Sequence, residues 1–64
     1  MSKSIIIAGS EGLIGKEICN YLQEANNKII RCDLSLGHDL TDEEFVKKFF
    51  FDNKADYLIN LYAI

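Results

Sequence analysis

Apolar residues recur along this chain in two alternating patterns, and each change of pattern marks an element. Ile5-Ile6-Ile7-Ala8 is an unbroken, mostly β-branched block, as in a short strand covered on both faces. A stretch with three glycines follows. From Leu13 the spacing changes, with Ile14, Ile18, Leu22 and Ala25 recurring every three or four positions while Lys16, Glu17, Asn20, Gln23 and Glu24 fall on the other side. That is the stripe of an amphipathic helix. Asn26-Asn27, tolerant of left-handed backbone, marks its end, and Ile29-Ile30-Arg31-Cys32 reads as a second strand ending at Asp33.

Leu34 to Leu40 has no period and reads as loop. Thr41-Asp42-Glu43-Glu44 has the spacing of a capping box, with Thr41 as N-cap and Glu44 reaching back to it. Phe45, Val46, Phe49 and Phe50 then supply the buried stripe of a second helix, with Lys47 and Lys48 toward water. After a turn at Asp52-Asn53-Lys54, Tyr57 to Tyr62 reads as a third strand. Two helices crossing between three strands predict a parallel β-α-β-α-β arrangement in three layers, both crossovers right-handed. With the first strand central, giving the order 2-1-3, the helices fall on opposite faces. Ligands bind such sheets outside the carboxyl ends of the strands, where the order reverses.

Size limits what this arrangement can be. A chain of 64 residues is one domain at most, and near that length only about 60% of the unfolded surface is buried. A complete two-domain enzyme is excluded. An apolar fraction of 48% fits a globular chain rather than a disordered one. Seven scattered Lys and Arg against ten Asp and Glu give a net charge of −3 and no basic stripe, which argues against nucleic acid as a partner. No apolar run approaches the roughly 20 residues of a membrane span, and the opening run is too short for a signal peptide, so a cytoplasmic location is expected. Cys19 and Cys32 lack the spacing of a zinc or redox site and read as reduced, buried thiols; no metal site is expected.

The chemistry lies in the glycine stretch. Gly9-Ser10-Glu11-Gly12-Leu13-Ile14-Gly15 is G-x-x-G-x-x-G between a strand and a helix. A diphosphate needs unpaired backbone N–H groups at close range, and a helix N-terminus supplies them with about half a positive charge. Gly9 allows the tight exit from the strand, Gly12 the close approach of a pyrophosphate, and Gly15 the close packing of the helix. The Walker pattern fails, because Ser10 stands where its first glycine belongs and Glu17 follows Lys16. The G-x-G-x-x-G fingerprint fails at Glu11, so the spacing is a relative of it. Asp33 follows Gly15 by eighteen residues, close to the ~20 expected of a carboxylate that bonds the adenosine ribose hydroxyls. Its charge repels a 2′-phosphate, favouring NAD over NADP. Arg31, two residues earlier, shares its face of the strand. His38 reads as a solvated loop residue rather than a catalytic one.

On these residues the sequence resembles the extended branch of the short-chain dehydrogenase/reductase superfamily, the NAD-dependent epimerases and dehydratases. The resemblance rests on Ala8 to Gly15, on Asp33, on Asp39-Leu40 and on Asn60-Leu61-Tyr62-Ala63. It implies a truncated Rossmann-like domain over residues 1–64, a single partial NAD(P)-binding domain. It also implies cofactor contacts from Gly9, Ser10, Glu11, Gly12, Leu13, Ile14, Gly15, Asp33, Asp39, Leu40, Leu61, Tyr62 and Ala63, with Asp39 and Leu40 beside the adenine. Ala8 replaces the family's usual Thr. Glu11 brings a carboxylate into the phosphate loop, where it should point to solvent. Tyr62 replaces a small residue, so either the cofactor path narrows or this side chain turns away. Asp33 and Asp39 lie too close together for another crossover helix between them.

The family's Tyr-x-x-x-Lys pair, in which lysine lowers the tyrosine pKa for proton exchange, has no counterpart here. Ala25 lies four residues after Tyr21, Leu61 four after Tyr57, and Tyr62 has no residue at that distance. The expected function is therefore NAD recognition for a dehydrogenase or epimerase, with the catalytic part absent from these residues. The alternative is a self-sufficient adenine-nucleotide-binding module that dimerises through its third strand. A flavodoxin- or receiver-like module shares the strand order, but a receiver needs paired acids where the glycines stand.

Overall fold

The computed structural model describes residues 3–62. Strand β1 (Ser4–Ala8), helix α1 (Leu13–Glu24), strand β2 (Lys28–Cys32), helix α2 (Glu43–Asp52) and strand β3 (Tyr57–Asn60) follow one another, with a 3-10 turn at Leu34–Leu36. All strands are parallel and the sheet order is β2-β1-β3, the Rossmann-like α/β arrangement that the alternation of patterns predicts. In register, Ile7 lies between Arg31 and Ile59, and Ala8 between Cys32 and Asn60.

The central strand explains the unbroken apolar block. Ile5 and Ile7 point to one face, where they meet Cys19, Ile18 and Leu22 of α1 together with Ile29 and Ile59. Ile6 points to the other face, against Cys32, Phe49 and the flanking Ile30, Phe45 and Phe50. A strand with helices over both faces has no side that can remain polar. The two cysteines therefore sit on opposite sides of the sheet, both free and both fully buried. Burial pushes each thiol pKa up, which disfavours the reactive thiolate.

Helix ends follow local chemistry. Asn26 adopts the left-handed conformation with φ 67° after α1. Asn26 N–H donates to Gln23 O at 3.0 Å and Asn27 N–H to Leu22 O at 3.2 Å, the paired bonds of a Schellman ending. The start of α2 differs from expectation. Its N-cap is Asp42, not Thr41, and the Asp42 carboxylate accepts from the Glu44 and Phe45 N–H groups. Thr41 is instead held by Asp39, whose Oδ1 accepts its N–H at 2.9 Å and its hydroxyl at 2.6 Å.

Two further expectations change. The stripe of α1 begins at Gly15, not Ile14, which is 60% exposed because the start of the helix rides over the loop rather than the sheet. Strand β3 ends at Asn60, although Leu61 N–H still donates to Ala8 O at 2.9 Å. Its outer flank is uncovered, leaving Tyr57 and Leu58 more than half exposed at the sheet edge. Among the described residues no helix is long and apolar enough to cross a membrane.

These positions separate core from surface. Ile7→Ala, at a site with no exposed area, is expected to cost about 2–5 kcal/mol, against a total of only about 3–10 kcal/mol for a chain of this size. The variant should be largely unfolded by far-ultraviolet circular dichroism at 25 °C. Ile14→Ala should shift stability by no more than about 0.5 kcal/mol.

Candidate functional site

The glycine stretch closes the carboxyl end of β1. Gly9 turns the chain with φ +90°, a conformation that disfavours any side chain. Its N–H and that of Ser10 both donate to Cys32 O, at 2.8 and 3.3 Å, fastening the loop to the end of β2. Gly15 lies against that turn. A Cβ on Gly15 would stand 2.0 Å from Gly9 O and 2.9 Å from the Ser10 carbonyl carbon, so the helix can reach the strand end only without one.

Gly12 is different. It is exposed, with φ −74° and ψ 172°, values open to any residue. A Cβ there would meet only Gly9 O, at an ordinary 3.6 Å. The fold does not need glycine at this position, which opens on a groove. That groove, about 320 Å³, is lined by Gly9, Gly12, Leu13, Ile14, Gly15 and Leu61.

The two helix starts contrast electrostatically. Helix α2 has an Asp42 cap and two acids in its first turn, so its N–H groups and dipole are answered within the chain. Helix α1 has no side-chain cap and no acid in its first turn. Among the described residues no acceptor meets the N–H groups of Leu13, Ile14 or Gly15. The exposed side chains of Leu13 and Ile14 add apolar walls to the same groove.

Asp33 stands beside this start. Its Oδ2 accepts the Glu11 N–H at 2.9 Å and its Oδ1 the Ser35 N–H at 3.0 Å, which also caps the 3-10 turn. The bonds from Ser35 and then Glu11 hold its carboxyl below the usual carboxylate range. Glu11 corrects an expectation. Its carboxylate does not simply face solvent but accepts from Arg31 Nη1 at 2.8 Å and from Ser10 Oγ at 3.0 Å, and these bonds lower its pKa. Ser10 is wholly buried, its hydroxyl donating to Glu11 Oε2 and its N–H to Cys32 O.

A second cleft, about 270 Å³, is lined by Leu34, His38, Asp39, Leu40, Thr41 and Tyr62. Asp39 is exposed at its rim, its pKa lowered chiefly by the Thr41 hydroxyl. Leu40 also packs into the core beneath α2. Tyr62 lines this cleft while 45% exposed, and its hydroxyl accepts the Leu34 N–H at 2.8 Å, tying the end of β3 to the loop after β2. Its own N–H donates to Asn60 Oδ1 at 2.9 Å. Ala63 lies outside the described residues.

His38 was unexpected as a packing residue. Its ring lies 5.5 Å from Phe45 and 5.1 Å from Phe49, and Nδ1 accepts the Asp33 N–H at 3.4 Å. The helical spacing of the phenylalanines signals an aromatic face, yet nothing local says that a loop histidine will complete it. A third cleft, about 410 Å³ between the end of α2 and the start of β3, involves Phe50, Asn53 and Leu58 and none of these groups. No cluster able to hold a metal occurs among the described residues.

A parallel sheet whose first turn is a glycine loop under an uncapped helix, with a carboxylate at the end of the neighbouring strand, defines a Rossmann-like domain. The chain belongs to the NAD dependent epimerase/dehydratase family, whose model matches residues 5–64. No curated protein and no solved structure matches it.

The glycines and Asp33 give two stability tests. Gly15→Ala, which elsewhere in a helix would gain about 1 kcal/mol, should destabilise by about 2 kcal/mol or more because backbone must move. Gly12→Ala should cost no more than about 1 kcal/mol; urea unfolding compares them. Because the Asp33 pKa is lowered on folding, its stabilisation is complete above the unfolded value of 3.8 and is lost as pH falls through the lower native value. Asp33→Asn should therefore reduce the fall in urea midpoint below pH 4.

Proposed function

We propose that these residues bind NAD as the nucleotide-binding portion of an epimerase- or dehydratase-type oxidoreductase. The observation that carries this reading is the uncapped start of α1 above a glycine that the fold itself does not require. Leu13, Ile14 and Gly15 would present their N–H groups to the pyrophosphate, where the helix dipole favours negative charge. Asp33 would accept from the ribose hydroxyls with the lone pairs its two backbone bonds leave. The adenine would enter the cleft walled by Leu34, Leu40 and Tyr62, with Asp39 at its rim, while Leu61 would flank the inner ribose.

Asp33 sets the choice of cofactor in this reading. A carboxylate kept ionised by two N–H bonds repels a 2′-phosphate, so NAD is preferred to NADP. When bound, the nicotinamide supplies hydride exchange. The chain's own residues hold the adenosine and diphosphate, and without a Tyr-x-x-x-Lys pair they leave proton transfer to residues outside these 64. The setting fits a cytoplasmic protein with reduced cysteines.

Calorimetric titration tests the assignment. Folded chain should bind NAD and ADP, and NADP more weakly. Gly12→Val should abolish binding of both while its circular dichroism spectrum stays unchanged. Folded protein with no affinity for any of the three ligands would leave the loop as a structural turn.

A second reading rests on β3, an edge strand with Tyr57 57% and Leu58 53% exposed. A second copy pairing along this edge would cover it, making a self-contained adenine-nucleotide-binding dimer. Sedimentation velocity should then show a concentration-dependent dimer that Leu58→Lys weakens; a ligand-free folded monomer at all concentrations removes this reading.

A further inference from the structure

Glu11 touches both a cation of β2 and the carboxylate at that strand's end. Its Oε2 accepts from Arg31 Nη1 at 2.8 Å, while its N–H donates to Asp33 Oδ2 at 2.9 Å. Strand alternation puts Arg31 and Asp33 on the same face of β2, and the long Arg31 side chain reaches up to the level of the loop. The Arg31 side chain is 40% exposed, so its guanidinium stands at the rim rather than inside the core.

We propose that Glu11 is a specificity-determining residue: by holding Arg31 against the glycine loop it withholds a guanidinium that would otherwise bind the 2′-phosphate of NADP. The inference rests on the reading that Asp33 holds the adenosine ribose. A free guanidinium fork beside a ribose is a strong phosphate partner, through charge and through paired N–H donors. Here that fork is already engaged by a carboxylate that Ser10 Oγ also steadies, at 3.0 Å. Glu11 takes the arginine while Asp33 accepts only the Glu11 and Ser35 N–H groups, so Asp33 keeps its negative charge at the ribose rim. Rejection of the wrong cofactor thus has two parts: the repulsion Asp33 exerts, and the removal of the attraction Arg31 could exert. Lys16, the other cation near Glu11, lies on α1.

The measurement is calorimetric affinity for NAD and NADP in the full chain, in Glu11→Gln, and in Glu11→Gln with Arg31→Met. Glu11→Gln keeps the side-chain shape and should leave NAD affinity within about threefold while tightening NADP roughly tenfold, the scale of one charge-assisted phosphate contact near a surface. The added Arg31→Met should return NADP to its original affinity. Three results overturn the inference. Either the NADP affinity of Glu11→Gln stays unaltered relative to NAD; or the gain survives loss of Arg31, so that Lys16 or general charge is responsible; or folded wild-type chain binds neither cofactor, which overturns the ribose reading as well. Circular dichroism melting of each variant separates loss of fold from loss of binding.

Discussion

The contact between Gly15 and the Gly9-Ser10 turn governs the rest of the molecule. A side chain at Gly15 would overlap the Gly9 carbonyl oxygen, so α1 starts in direct backbone contact with the end of β1. That approach fixes the height of the helix above the sheet. From it follows the burial of Cys19, one turn along, against Ile5 and Ile7. From it also follows the exposure of Leu13 and Ile14, which ride past the sheet end and wall the groove. The close packing that completes one half of the core thus also aims an uncapped helix start at open space.

Charge around that start is arranged in one direction. Helix α2 answers its own N-terminus with Asp42, Glu43 and Glu44, while α1 leaves its own unanswered and places acids beside it rather than on it. Asp33 reaches the loop through the Glu11 N–H, and Glu11 turns its carboxylate away toward Arg31. The carboxylate that looked misplaced in the glycine loop is thereby drawn to the strand beside it. The pairing works because β2 lies beside β1 in the sheet, which brings residues twenty positions apart into a single ion pair.

The aromatic face of α2 shows how far local pattern reaches. Phe45 and Phe49, one turn apart, announce a buried side, and Phe49 is indeed buried. The ring that completes their stack, His38, comes from a loop without period, carried there by the 3-10 turn that Asp33 caps. Tyr62 is similar. Its hydroxyl finds Leu34 only because β3 lies on the other side of β1 from β2, so the end of one outer strand can reach the loop after the other.

By itself the sequence determined the alternation of strand and helix, the central place of Ile5 to Ala8, the glycine spacing and the acid at the end of β2, since each is a short-range pattern read from neighbouring residues. Helix limits were legible for the same reason, as at Asn26, where a left-handed residue ends α1. Tertiary structure alone decided which apolar residues of α1 are covered, that Asp42 and not Thr41 caps α2, and where Glu11, Arg31, His38 and Tyr62 find partners. Those outcomes depend on which strand ends become neighbours and on how closely a helix can approach them. No local pattern encodes that geometry until the sheet has formed.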